Sequence, residues 1–521
     1  MTTAARVAQS PRQTAWTLES LTAEVQRLSH EINFLREQLK LKTIQAFGAS
    51  SEATKQSVEE TASLFNEAEE QSAPATPEPE LETVIQRRGK SKGKRELQFE
   101  GLPTEKIRYE LPEAERLCPC CARLMHEIGE EIRRELTLIP AQLKATEHAR
   151  VKYACRDCAN HGTGSKVYTA PMPTPAFPGG PASASLVAYL MDQKYGLGVP
   201  LYRQEQYLKT LGIDLSRQTM ANLTIAGARW FEPVFNGLQA RLKRYDILHA
   251  DETRVQVLHE AGREASAQSF MWVYRSGRHG PPITLYEYQT SRAGEHPRRF
   301  LQGFAGYLHV DGYSGYNHLA DITVAGCWAH ARRGFDRAVK ALPPGSRAAG
   351  PCASQVGLNF CNRLYKIERE LSDLTPEERL VARRERCVPL LAEFDAWLNA
   401  QALVVLPKSA LGQAIGYVRN QWTRLHTFLE DGRLEIDNNR CERAVKPFVI
   451  GRKNWLFSNT PKGANASASI YSIVETAKEN GLRPAAYLEY LLQRLPNIDS
   501  DNQAALESLM PWSPETQKAC K

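Results

Sequence analysis

Three acids and two cysteine pairs have the types and spacing to do chemistry. Ile247-Leu-His-Ala-Asp-Glu-Thr253 puts Asp251 in the middle of a strand-like run, with Glu252 on the opposite face because successive strand side chains alternate. Tyr307-Leu-His-Val-Asp-Gly-Tyr313 puts Asp311 at the end of another run, where glycine breaks it. Buried carboxylates on neighbouring strands are costly unless a cation pairs with them, and Mg²⁺ prefers carboxylate oxygen. Either aspartate alone would equally suit an exposed loop. A third acid should complete such a site, and Glu435, Asp437 and Glu442 compete for the place. Asp437 and Asn438 read as helix caps, which leaves Glu442 on the helix itself among Arg440, Arg443, Lys446, Arg452 and Lys453. Cations there could take phosphates around a metal-binding carboxylate. The plainer reading is an i,i+4 surface pair of Glu442 with Lys446.

Cys118-Pro-Cys-Cys121 and Cys155-Arg-Asp-Cys158 are two CxxC knuckles separated by 33 residues. Each turn presents two thiolates to one cation, and together they complete the closed tetrahedral shell of a structural Zn²⁺. Cys120 and His161 leave the choice of fourth ligand slightly open, and buried thiols or a redox pair are the alternatives. Cys327-Trp-Ala-His330 is half a metal site; a buried cysteine and a structural histidine are the simpler reading, with His330 touching a phosphate near the acids as the other.

The elements that must position these groups follow from local patterns. Leu18, Leu21, Val25, Leu28, Ile32, Leu35 and Leu39 alternate spacings of three and four, which predicts a coiled-coil helix over 17–46, although an amphipathic helix packed on its own chain fits too. Residues 48–86 hold nine glutamates against Lys55 and a run rich in proline, as expected of a disordered acidic linker. The linker ends in a basic arm formed by Arg87, Arg88, Lys90, Lys92, Lys94 and Arg95, suited to DNA phosphates or merely to a solvated tether. Residues 107–170 carry the knuckles. Over 181–232, a helix through 200–210, a turn at Gly212 and a second helix capped by Ser216 and opening with Arg217, Gln218 and Asn222 have the layout of a helix-turn-helix. Five short strands are expected at 247–257, 270–275, 283–288, 307–310 and 322–326, with a helical stretch at 298–303. They predict a mixed sheet with helices on its faces, and residues 335–430 after it read as mostly helical.

The chain has 521 residues and a net charge of +7. Residues 1–86 hold seven basic and thirteen acidic side chains, so the rest carries +13, a balance that suits a phosphate-rich partner. No apolar run approaches the ~18 residues of a membrane span, and residues 1–17 lack the apolar core of a signal peptide. A soluble, intracellular protein of several domains is expected.

His249-Ala-Asp-Glu-Thr253, Asp311-Gly-Tyr-Ser-Gly-Tyr316, Cys327-Trp-Ala-His-Ala-Arg-Arg333 and Asp437-Asn-Asn-Arg-Cys-Glu442 through Gly451-Arg-Lys-Asn-Trp-Leu-Phe457 resemble the large transposase of the insertion-sequence-66 family. Phe47-Gly-Ala-Ser-Ser-Glu52, the knuckles, Pro200-Leu-Tyr-Arg-Gln-Glu205 and Glu475-Thr-Ala-Lys-Glu-Asn-Gly481 extend the resemblance along nearly the whole chain. The resemblance implies a multidomain α+β protein with an N-terminal coiled coil, a small zinc-binding domain, a helix-turn-helix, a ribonuclease-H-like α/β core over 245–460 interrupted by a helical insertion over about 336–432, and a C-terminal segment over 464–521. It implies catalytic, Mg²⁺-binding (or Mn²⁺-binding) acids at Asp251, Asp311 and Glu442, with two ions, and one structural Zn²⁺ at Cys118, Cys121, Cys155 and Cys158. Its partners would be terminal inverted repeats and target DNA, further copies of itself, and small accessory proteins of the same element, in the bacterial cytoplasm at the nucleoid. DNA contacts would come from the basic arm, from Arg217, Gln218 and Asn222, and from Arg443, Lys446, Arg452 and Lys453. The alternative is a zinc-containing DNA-binding protein in which the acids are only structural.

Overall fold

The computed structural model describes residues 104–110, 141–154, 167–180, 182–317, 319–342, 352–499 and 502–521, with separate positions between 25 and 42 and between 116 and 136. The four knuckle cysteines, the basic arm and the acidic run of the linker lie outside the described residues. The chain forms two units, residues 53–148 and the remainder. In the first, Arg108 pairs with Glu127 at 2.9 Å and Arg116 with Glu110 at 2.8 Å. All other elements belong to the second. There Val25, Leu28, Ile32, Leu35 and Leu39 are helical and largely exposed, so at these positions the apolar stripe lies on a helix and open to solvent. No helix among the described residues is long and apolar enough to cross a membrane.

A two-stranded antiparallel ribbon, β1 (Lys152–Ala154) with β2 (Val167–Thr169), precedes four helices. These are α1 (Ala184–Met191), α2 (Leu201–Thr210), α3 (Arg217–Trp230) and α4 (Glu232–Leu242). Gly212 turns the chain between α2 and α3 at φ +84°, a conformation that favours glycine. Ser216 then caps α3 by accepting from the Thr219 amide at 3.2 Å. Leu190, Leu208 and Met220, one from each of α1, α2 and α3, form the small core of this region.

The central sheet has the order β5-β4-β3-β6-β7. Its strands are β3 (Ile247–Gln256), β4 (Gln268–Ser276), β5 (Thr284–Gln289), β6 (Gly306–His309) and β7 (Ile322–Ala325). β3, β4 and β5 pair antiparallel, whereas β6 joins β3, and β7 joins β6, in parallel. The parallel link needs a crossover, supplied by α5 (Glu295–Phe300), a few residues upstream of the expected stretch. β6 pairs with β3 only from Ile247 to His249, so beyond that point β3 opens on one side. Ile247–Ala250 are buried and Asp251–Thr253 half-buried, which places Asp251 where the crevice begins.

A helical block follows β7: α6 (Trp328–Ala341), α7 (Ala353–Glu370), α8 (Pro376–Ala402), α9 (Ala410–Asn420) and α10 (Trp422–His426). Trp328, Phe335, Leu364, Phe394 and Val418 are buried in its own core. Arg383, 1% exposed, holds the block to the returning chain. It donates to both oxygens of Glu368 at 2.7 and 2.8 Å and to the carbonyls of Phe428 and Leu434 at 2.9 and 2.8 Å. The chain then enters α11 (Asn439–Trp455), which packs on β3 and β4. α12 (Pro461–Glu479) covers the sheet edge: Ser472 and Thr476, one helical turn apart, accept the β5 amides of Tyr286 and Thr284 at 2.8 and 3.1 Å. Unpaired edge amides are thereby satisfied. α13 (Pro484–Arg494), α14 (Gln503–Ser508) and α15 (Pro514–Cys520) complete the chain.

Candidate active site

Asp251 and Asp311 come from adjacent strands of the sheet. Asp251 sits at the fifth position of β3, and Asp311 lies two residues beyond the end of β6. Each carboxylate is oriented by a backbone amide: Asp251 accepts from Glu252 at 2.8 Å and Asp311 from Tyr313 at 2.7 Å. Burial pushes the Asp251 carboxyl well above its ordinary range, and the charges of Glu252, Asp311 and Glu442 push it further. A buried carboxylate facing further acids needs a cation, so the donor set fits a hard divalent metal. Glu252, on the other face of β3, is satisfied internally by Tyr316 at 2.7 Å and by Arg292. Arg292 also reaches to 4.0 Å from Asp311 and stacks 3.7 Å above the Tyr313 ring.

The three competing acids of the third motif have different surroundings. Glu435 is enclosed by Arg278, Arg440 at 3.4 Å and His249 at 3.5 Å. Burial would raise its pKa, but these neighbours hold it down to about 2. Asp437 accepts from the Asn439 amide at 3.0 Å and from the Tyr365 hydroxyl at 2.9 Å, a capping role. Glu442, in the first turn of α11, is the acid of this motif whose charge acts on Asp251. It takes no i,i+4 pair with Lys446; Arg333 of α6 donates to it instead, and His330 Nδ1 stands 3.6 Å away. Among the described residues the one group of three candidate ligand atoms within 4.8 Å of one another is Cys327, His330 and Glu442, not the three carboxylates.

Two features went unread in the sequence. His249 and His309 pair across β3 and β6 and stack at 4.6 Å, 13° from parallel, directly beneath the two aspartates. Both rings are fully buried, and burial pushes both imidazoles down, so they are neutral at physiological pH. The signal was present: each aspartate is preceded at two residues by histidine, and a period of two puts them on one face. The second feature is Asn438, 1% exposed, which bonds across three elements rather than capping α11 with its side chain.

The expected DNA contacts divide. Arg443, Lys446 and Lys453 are exposed along one face of α11, while Arg452 is half-buried and lines a cleft with Glu252, Thr253, Arg254, Phe270 and Arg292. On α3, Arg217 pairs with Glu205 at 3.3 Å and lies 5.4 Å above the Tyr202 ring, and Gln218 bonds Asn222 at 3.0 Å.

Comparison with known proteins defines the class. The model for "Transposase IS66 family" matches residues 179–466, "zinc-finger binding domain of transposase IS66" matches 115–159, and "IS66 C-terminal element" matches 472–512. Similar proteins occur in Sinorhizobium fredii (strain NBRC 101917 / NGR234). The uncharacterized protein y4jD is 33% identical, covering 82% of this chain and 83% of its own length. The uncharacterized protein y4hP is 31% identical over 76% of this chain and 73% of its own length. The chain belongs to the IS66 transposase family and contains that family's zinc-finger domain.

Proposed function

We propose that this transposase cuts the ends of its element and joins them to target DNA at a ribonuclease-H-like core, with Asp251, Asp311 and Glu442 as the metal-binding acids. The observation that carries this reading is the crevice where β6 leaves β3: it has Asp251 midway along β3 and Asp311 just past the end of β6, and lets Glu442 act on the first from α11. Such a crevice, outside the carboxyl ends of parallel strands, is the common place for a site in open α/β sheets. Two Mg²⁺ or Mn²⁺ ions would polarise the scissile phosphate and make water, then a DNA 3′-hydroxyl, a stronger nucleophile. The chain's own part is to aim the carboxylates through backbone amides, to hold Glu442 between His330 and Arg333, and to offer Arg443, Lys446 and Lys453 to phosphates. The basic arm, Arg217, Gln218 and Asn222 would add DNA contacts, and the exposed leucine stripe would join copies of the chain. Cys118, Cys121, Cys155 and Cys158 are the proposed ligands of the zinc-finger domain's ion.

The pairing of Arg333 with Glu442, and of Arg292 with Glu252, favours the second reading, in which the acids are structural and the protein only binds DNA. End cleavage separates the two. Asp251→Asn, Asp311→Asn and Glu442→Gln should bind element-end DNA as the parent does and fail to nick it in Mg²⁺ or Mn²⁺. Cleavage at the parental rate by Glu442→Gln would overturn the choice of third acid, and a parent that binds but never cleaves would favour the structural reading.

A further inference from the structure

The half-site Cys327-Trp-Ala-His330 is completed by tertiary structure. Cys327 is the N-cap residue of α6 and His330 lies in its first turn, so both face the same side of the helix start. Glu442 approaches from α11, and one ligand atom from each residue lies within 4.8 Å of the other two. A tetrahedral zinc shell, with bonds of about 2.0–2.3 Å, sets its ligands roughly 3.3–3.8 Å apart. His330 Nδ1 and Glu442 Oε1 are already 3.6 Å apart. Two further observations point to a ligand here. His330 Nδ1 is a buried nitrogen without a hydrogen-bond partner. Cys327 Sγ, wholly buried, accepts the backbone N–H of Asn438 at 3.2 Å, the bond that steadies a metal-bound thiolate.

We infer that Cys327, His330 and Glu442 form a second, reversible zinc site that competes with the magnesium site for Glu442. Sulfur and imidazole select Zn²⁺ over Mg²⁺, because soft and borderline donors bind the softer ion. The incoming cation replaces Arg333 as the charge facing Glu442 and leaves a fourth position to solvent. Binding stands on the three ligands alone; its consequence, removal of the third acid from the magnesium site, rests on the function proposed above. Zinc would then hold the transposase in an uncut state, with Asp251 and Asp311 left incomplete.

The test uses the full chain, purified without chelators and dialysed against micromolar free Zn²⁺ in millimolar Mg²⁺. The parent should carry one more zinc per chain than Cys327→Ser or His330→Ala, and Glu442→Gln should weaken the extra site at least tenfold. Thermal melts of each variant exclude loss of the fold as the cause; if Cys327→Ser unfolds, the half-buried His330 and Glu442 decide. Equal zinc content in the parent and all folded variants overturns the proposal. In parallel, micromolar zinc should suppress Mg²⁺-dependent end cleavage by the parent. A parent that gains the extra zinc yet cleaves undiminished refutes the competition. A parent that never cleaves in Mg²⁺ refutes the function reading, while the zinc count still decides the site.

Discussion

Nδ1 of His249 lies 2.9 Å from the side-chain oxygen of Asn438, and this contact ties the strand of the first aspartate to the start of the helix bearing Glu442. The Asn438 amide group also donates to the Ala250 carbonyl at 2.8 Å, which fixes its orientation and makes His249 Nδ1 the proton donor. Its backbone N–H goes to Cys327. One buried residue, through side chain and backbone together, thus sets three of the chain's motifs against each other.

Replacing Asn438 by alanine should therefore cost more than a cap. It strands the His249 N–H and the Ala250 carbonyl in a dry interior, at about 1–3 kcal/mol for each buried unsatisfied group. A net loss of about 2–4 kcal/mol in urea unfolding is expected. Cleavage should fall further than DNA binding, because α11 loses its register against β3.

Acid should destabilise the site in two windows. Burial holds folded His249 down to about 4, whereas the unfolded residue takes a proton near 6.5, so stability is complete above that value and is lost as pH falls toward 4. Glu435, held down to about 2 in the folded state, adds stability present above about pH 4.5 and lost as pH falls toward 2. Its share is about 3 kcal/mol by linkage. Unfolding free energy measured against pH should show both declines, and Glu435→Gln should remove the lower one while extending the upper to lower pH, because the Glu435 charge holds His249 up.

The helical block should depend on Arg383. Arg383→Met leaves Glu368 charged and nearly buried, together with the carbonyls of Phe428, Asp431 and Leu434, and should cost about 3–5 kcal/mol. The double substitution Arg383→Met with Glu368→Met should recover part of this and no more, because the Phe428 and Leu434 carbonyls remain unpaired. Thermal denaturation of the two variants checks the order.

Zinc in the knuckles should be folding energy for their domain. Cys118→Ser or Cys155→Ser should each remove one zinc per chain in elemental analysis and open residues 107–170 to protease. Full zinc content in either variant would reassign the ligand, with Cys120 and His161 as the replacements to test.

The strands, the Ser216 cap and the Gly212 turn were legible in the sequence because each depends on neighbours a few residues away: alternation, a side chain reaching its own helix, a backbone angle only glycine adopts freely. Boundaries shifted by a residue or two, and the helix expected at 298–303 begins at Glu295 because crossover packing, not propensity, sets where it starts. Motif order, by itself, also indicated the family. What the sequence could not show was which charges and donors surround each acid of the third motif. Glu435, Asp437 and Glu442 are chemically alike, and their fates follow from Arg278, Tyr365 and Arg333, groups far away in the chain. The same holds for the histidine stack, for Asn438, and for the meeting of Cys327, His330 and Glu442. Electrostatic and hydrogen-bonding partners act through space over a few ångströms, so only the packing of α6 and α11 against the sheet could determine them.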